Sequence, residues 1–376
     1  MEHYLDNSAT TRVCPEAAEA AMQAMLENYG NPSSTYTKGR EAKKLLDRSR
    51  RLAADALGCQ PPELVFTSCG SESDNWAILS GAEAMSRKGK HVITSLVEHD
   101  AVRKSMEELT RRGYEVTYLR PDAAGAIRPE DVKDALRPDT ILVSLMLVNN
   151  ETGAVTDIPG VSGVLREAGS PALLHTDAVQ AFMKLPFTPK SLGADLISVS
   201  GHKIHAPKGI GALYIRSGLK LRPYILGGAQ EEGRRAGTEA MPQIAAFGEA
   251  CRIAKEGLAE NAARMASLKA ETAARLSAAI PELYVVETAA PHILSISLPG
   301  FRSEVLMNYL EAREIYVSRS SACKKGARSH VLEAIGMEPR LIDGALRIGF
   351  SRYNTMEDVE ALCAALSEAH ATLAHR

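Results

Sequence analysis

Short apolar runs closed by polar residues recur along most of the chain, with longer Ala-rich stretches between and after them. Ala172-Leu173-Leu174 leads into His175-Thr176-Asp177, and Asp195-Leu196-Ile197-Ser198-Val199 leads into Ser200-Gly201-His202-Lys203. The run from Thr140 to Val148 closes on Asn149-Asn150-Glu151-Thr152-Gly153. Unbroken apolar runs of this kind fit strands of a parallel sheet covered on both faces. Leu64-Val65-Phe66-Thr67, His91-Val92-Ile93-Thr94, Glu115-Val116-Thr117-Tyr118-Leu119 and Gly211-Ala212-Leu213-Tyr214-Ile215 add further strands.

Helical patterns alternate with these strands from about residue 15 to 245, as in an α/β domain. Pro15 opens a first helix whose Ala- and Met-rich pattern stops at Gly30. Residues 242–280 read as one long Ala-rich helical connection to a second, smaller α+β domain. In that domain 293–298 and 346–350 are strands, Ser303 can cap a helix running to Arg313, and Thr355 with Asp358 resembles a capping box for the last helix. The expected division is 14–245 as the large domain and 246–376 as the small one, joined by the N-terminal segment 1–13.

Composition narrows the function without naming it. The 376 residues carry 45% hydrophobic side chains and a formal net charge of −2, so no basic surface for nucleic acid is expected. No apolar run approaches the roughly 20 residues of a membrane span, and Met1-Glu2-His3-Tyr4-Leu5-Asp6-Asn7-Ser8 has no basic-then-apolar signal. A cytoplasmic protein is expected. Cysteines 14, 59, 69, 251, 323 and 363 are too scattered for a zinc site or a disulfide framework. Cys251 and Cys363 lie in Ala- and Leu-rich helical patterns and read as small buried hydrophobes. Cys323 instead follows Arg319-Ser320-Ser321-Ala322 and precedes Lys324-Lys325-Gly326, a polar and cationic setting that favours thiolate.

The polar ends of the apolar runs hold a specific chemistry. Pyridoxal 5'-phosphate needs a lysine for a Schiff base and a carboxylate on its pyridine nitrogen, and Lys203 and Asp177 stand at two of those ends. In open α/β sheets ligands collect at the carboxyl ends of the strands, which is where these groups belong. Phe66-Thr67-Ser68-Cys69-Gly70-Ser71 runs from strand through a glycine turn into the helical pattern of Trp76, Leu79 and Ala82. A helix opening there offers free N–H groups to a phosphate, with Gly70 and Ser71 as contacts and Ser200 and His202 as further donors.

Taken together these residues resemble the cysteine desulfurases, a branch of the class V aminotransferase-like pyridoxal-phosphate enzymes. The resemblance is carried by Tyr4-Leu5-Asp6-Asn7-Ser8-Ala9-Thr10-Thr11, Gly30-Asn31-Pro32-Ser33-Ser34, Glu98-His99, Val148-Asn149-Asn150-Glu151-Thr152-Gly153, Asp177 to Gln180, Ser200-Gly201-His202-Lys203, Gly237-Thr238, Ser321-Ala322-Cys323 and Arg347. It implies an aspartate-aminotransferase-like fold with a mostly parallel sheet in the large, cofactor-binding domain. It also implies that Lys203 carries the cofactor, Asp177 pairs with its ring nitrogen, and Gln180 and Asn150 address its phenolic oxygen. His99 would stack on the ring and assist proton transfer, and Gly70, Ser71, Ser200 and His202 would hold the phosphate. Thr238 would join them from the other subunit of a homodimer, and Arg347 would bind the substrate carboxylate.

The implied reaction converts L-cysteine to L-alanine and leaves a persulfide on Cys323. An iron-sulfur scaffold or a tRNA-thiolation protein would then accept the sulfur. An aminotransferase or a selenocysteine-type lyase without an essential thiol is the alternative enzyme, and a non-enzymatic sulfur-assembly adaptor is the alternative binding protein. The chain departs from the family pattern at Cys69 for glycine, Ser71 for threonine, Tyr36 for histidine and Glu232 for arginine. Around Cys323 the family's Ser-Gly-Ser-Ala-Cys becomes Arg319-Ser320-Ser321-Ala322-Cys323.

Overall fold

The computed structural model describes residues 2–319 and 328–373. The polypeptide begins with a two-residue strand, β1 (His3–Tyr4), and then builds a large sheet from β2 (Leu64–Thr67), β3 (His91–Ser95), β4 (Glu115–Leu119), β5 (Thr140–Ser144), β6 (Leu173–Asp177), β7 (Leu196–Ser200) and β8 (Gly211–Ile215). Their spatial order is β2-β8-β7-β6-β5-β3-β4. Only β8 runs antiparallel to its neighbours, so the sheet is mostly parallel.

Every residue of β3, β5, β6, β7 and β8 is buried, which is why these strands read as continuous apolar runs. Helices α1 (Pro15–Leu26) and α2 (Thr37–Leu57) lie on one face, and α3 (Gly70–Met85) and α4 (Asp100–Arg111) lie on the other. Alternate residues of one strand serve the two layers. In β6, Leu174 joins the core under α1 and α2, while Leu173 joins Trp76, Val102 and Met106 under α3 and α4.

A second sheet, in the order β12-β13-β10-β9, is formed by β9 (Tyr284–Val286), β10 (Ile293–Ser297), β12 (Ser318–Arg319) and β13 (Ala345–Gly349). β1 pairs in parallel with β11 (Ile315–Tyr316), and Leu5 is buried in the core of this second sheet. The N-terminal segment therefore crosses from one core to the other, since Cys14 belongs to the large one.

The expected single helix over 242–280 is two helices, Met241–Glu256 and Leu258–Ala279, broken at Gly257. The halves face different cores. Ala250, Cys251 and Ala254 pack in the large core, whereas Met265, Leu268 and Leu276 pack under the second sheet. The first helix also stops at Leu26, before Gly30, and Ser303 is the first helical residue rather than the cap, which is Arg302. Thr355 N–H does donate to Asp358 Oδ2 at 2.9 Å, as a capping box requires. No helix among the described residues is long and apolar enough to cross a membrane.

Candidate active site

Five strands of the large sheet deliver their carboxyl ends to one cavity of about 380 Å³. From the turn after β2 come Cys69, Gly70 and Ser71, and after β3 comes His99. Asn150 and Glu151 follow β5, Asp177, Val179 and Gln180 close β6, and Ser200, His202 and Lys203 close β7. Arg347 enters from β13 of the second sheet, and Ser8 and Ala9 from the N-terminal segment. Ten sequence-predicted residues thus meet: Gly70, Ser71, His99, Asn150, Asp177, Gln180, Ser200, His202, Lys203 and Arg347. Thr238 is exposed and does not line this cavity within the chain, and Cys323 lies outside the described residues. A larger cleft of about 630 Å³, between α2 and residues 229–239, is lined by none of these ten.

Lys203 Nζ donates to the carbonyls of Ser8 and Ala9, both at 2.6 Å. Burial, with help from the Arg347 charge, brings its pKa down to about 7, against the pull of Asp6 and Asp177. A neutral amine is therefore populated near neutral pH, as nucleophilic and proton-transfer work requires. Asp177 is buried, and its Oδ1 accepts the Val179 N–H at 2.9 Å. Burial raises its pKa, while His99, that hydrogen bond and Lys203 oppose the rise. Its other oxygen has no hydrogen-bond partner among the described residues and is free for a cationic N–H.

The strand-to-helix turn at α3 makes an anion cradle. Cys69, the residue before the helix, makes no side-chain cap, so the first-turn N–H groups are not covered from within. A Cβ at Gly70 would lie 2.8 Å from Val179 Cγ2, so the backbone approaches as closely as it does only because the residue is glycine. Ser200 Oγ is buried without a hydrogen-bond partner among the described residues. His202 Nδ1 is 3.2 Å from Thr10 Oγ1, and burial, together with Lys203, lowers its pKa to about 4, leaving a neutral ring at physiological pH.

His99 stands at the cavity rim as the N-cap of α4, its Nδ1 accepting from Ala101 N at 3.1 Å. In the neutral ring that bond leaves the proton on Nε2. Gln180 Nε2 donates to Ser8 O at 2.9 Å, so its amide is engaged with the N-terminal segment. Arg347 Nη1 donates to Asn150 O at 2.8 Å and Nη2 to Asp6 Oδ1 at 3.0 Å, while Nε is buried and unpaired.

Asp74, Glu151, Ser8 and Ala9 also line the cavity, although the sequence reading gave them no role there. Asp74 lies one helical turn beyond Gly70 and so on the same face of α3. Glu151 is buried and accepts the Ser329 hydroxyl, and burial raises its pKa to about 7 against that bond and Arg347. Asp6 Oδ1, which accepts from Arg347, also accepts from Ser318 Oγ at 2.8 Å.

An aminotransferase class-V family model matches residues 3–362. The chain is 42% identical over 370 residues to the cysteine desulfurase IscS of Methanosarcina thermophila, covering 97% of this chain and 91% of the relative. Cysteine desulfurase 2 of Trichormus variabilis is 40% identical over 362 residues, covering 95% and 90%. Among solved structures, a NifS-like protein superposes with a TM-score of 0.94 at 37% identity over 99% of this chain and 100% of the other. SspA in complex with cysteine superposes with a TM-score of 0.81 at 32% identity, over 94% and 100%. Members of this family are pyridoxal-phosphate-dependent, and the open face of Asp177, the unpaired Ser200 hydroxyl and the uncapped turn at Gly70 fit that group in charge and in donors. With the match spanning nearly its whole length, the chain belongs to the cysteine desulfurases of the aminotransferase class-V family.

Proposed function

We propose that the chain binds pyridoxal 5'-phosphate in the cavity at the strand ends and uses it to desulfurate free L-cysteine. The observation that carries this reading is the meeting of Lys203, Asp177, the turn at Gly70 and Arg347 around one cavity of about 380 Å³. When bound, the cofactor supplies an electron sink for the bond broken at the substrate. Lys203 is the anchoring amine, and its lowered pKa suits it to take and return a proton at Nζ. Asp177 holds the ring nitrogen with its open carboxylate oxygen. The first-turn N–H groups at Gly70 and Ser71, with Ser200 and neutral His202, hold the phosphate.

Arg347 binds the substrate carboxylate, using the unpaired Nε and whichever of its Nη bonds the ligand displaces. His99 covers the ring face and offers the Nε2 proton, and Asn150 and Gln180 serve the phenolic side. The Cys323 thiolate attacks the substrate sulfur, so the carbon–sulfur bond breaks, a sulfur–sulfur bond forms, and L-alanine leaves. One L-cysteine and one thiol give one L-alanine and one persulfide, with no outside oxidant or reductant.

The working form is a homodimer in which Thr238 of a second copy completes the phosphate site, consistent with its exposure here. The persulfide is passed to an acceptor protein of iron-sulfur or thiolation chemistry. The two cores support a division of the chain into a large and a smaller domain, with residues 246–256 kept on the large core and Leu5 of the N-terminal segment on the smaller one. Lys203→Ala tests the assignment. It is expected to abolish the visible absorption of the cofactor-bound protein and L-alanine formation together. Normal absorption with normal turnover would refute it.

A further inference from the structure

Behind Asp177 stands a second carboxyl that the reading above does not use. Asp74 projects from the second turn of α3, one turn beyond Gly70, and its side chain is 2% exposed. Its Oδ1 has no hydrogen-bond partner among the described residues and lies 3.7 Å from His175 Nε2. The His175 ring is itself held between two hydroxyls, Ser144 Oγ at 2.8 Å from Nδ1 and Ser198 Oγ at 3.0 Å from Nε2. His175 and Asp177 are two apart on β6 and so share a face, and Asp177 is registered with Ser198 on β7.

Two carboxyls walled into one low-dielectric place cannot both ionise cheaply, so one keeps a proton. The surroundings choose which. Asp177 has His99, Lys203 and the Val179 N–H in its favour. Asp74 is opposed in its ionisation first by burial and then by the charge of Asp177, and has only the Ser198 hydroxyl to help it. His175, the one base beside it, is kept neutral by burial, its pKa lowered to about 3.

We propose that Asp74 is a positioning residue for Asp177: a neutral carboxyl that keeps the proton the two acids would otherwise contest, leaving Asp177 as the carboxylate presented to the cofactor nitrogen. The inference rests on the assignment of Asp177 above. The chain Ser144–His175–Ser198–Asp74 then has a second use. It orders the polar floor of the cavity so that Asp177, and not its neighbour, carries the charge.

The test uses the full-length protein stripped of cofactor. Burial and Asp177 raise the Asp74 pKa in the folded state, so its contribution to stability is complete at acid pH and is lost as pH rises above the ordinary carboxylate range. Asp74→Asn keeps the neutral shape and cannot ionise. Its melting temperature should therefore fall less than the wild type's between acid and alkaline pH, and it should still bind pyridoxal phosphate in a fluorescence titration. Ser198→Ala, which removes the hydroxyl that favours ionised Asp74, should extend the wild-type loss to higher pH. In the infrared difference spectrum of the apo-protein at neutral pH, wild type minus Asp74→Asn, a protonated-carboxyl band should remain beyond those of Glu98 and Glu151.

A Ser198→Ala profile that superimposes on wild type would overturn the proposal, even if Asp74→Asn failed to fold. So would an Asp74→Asn protein with the wild-type pH slope, or one that loses cofactor binding as completely as Asp177→Asn. If instead Asp177→Asn binds the cofactor like wild type, the assignment of Asp177 itself is wrong, whatever Asp74 does.

Discussion

At the scale of single residues, the site is a set of polar groups whose charge is set by burial. Arg347 shows how much geometry one side chain holds, because its two Nη groups are already bonded to Asn150 O and Asp6 Oδ1 and its buried Nε has no hydrogen-bond partner among the described residues. Lysine cannot reproduce that fork. Arg347→Lys should raise KM for L-cysteine by about tenfold or more and leave the cofactor spectrum in place; an unchanged KM would remove Arg347 from substrate binding. Most of these residues were legible in the sequence because a parallel sheet sends its strand ends to one side, so Asp177, Lys203, Asn150 and Gly70 could be read as neighbours although far apart in the chain. Asp74, Glu151 and the carbonyls of Ser8 and Ala9 were not. An acid inside a helical pattern reads as a solvated face, and a backbone carbonyl leaves no mark in a sequence.

Elements were legible to the extent that burial is uniform along them. The strands buried on both faces stood out as apolar runs, but β1 and β11, two residues each, carry no period to detect. The helix break at Gly257 was missed because alanine-rich sequence continues through it. A glycine costs a helix interior only about 1 kcal/mol, and what decides the break is that the two halves face different cores.

Helix α3 offers a paired test of how its start serves the site. In Gly70→Val the first side-chain carbon would sit 2.8 Å from Val179 Cγ2, so the turn must move, and affinity for pyridoxal phosphate should drop by about tenfold or more by fluorescence titration. Gly81 lies farther along the same helix, and a Cβ there would meet Leu196 Cδ1 at 3.5 Å, an ordinary contact. Gly81→Ala should leave cofactor affinity alone and stabilise the protein by about 0.5–1 kcal/mol in denaturant unfolding. Equal loss of affinity in both would mean that the turn at Gly70 has no special place.

The whole molecule joins two cores through the site, with Arg347 reaching in from the second sheet and the segment around Ser8 bridging both. This arrangement leaves costly groups in the interior, a lysine among them. Lys184 is buried and makes no side-chain hydrogen bond or ion pair with the described residues, and burial, with the Arg352 charge, brings its pKa down to about 8. Below that pH the folded protein bears a buried charge. Stability should therefore rise with pH from about 8 towards the ordinary lysine value, by on the order of 3 kcal/mol. Lys184→Met should be more stable than wild type at neutral pH, with a gain that shrinks as the solution becomes alkaline. A variant with the wild-type pH slope in thermal unfolding would show that Lys184 is not the source. Where the substrate sulfur goes decides whether Cys323 is the acceptor. Mass spectrometry of the intact and digested holoenzyme after incubation with L-cysteine should find one added sulfur atom on Cys323, with L-alanine released, and Cys323→Ala should keep the cofactor spectrum but form no persulfide. Added sulfur on Cys69, or Cys323→Ala protein that still releases alanine and sulfide at the wild-type rate, would contradict it.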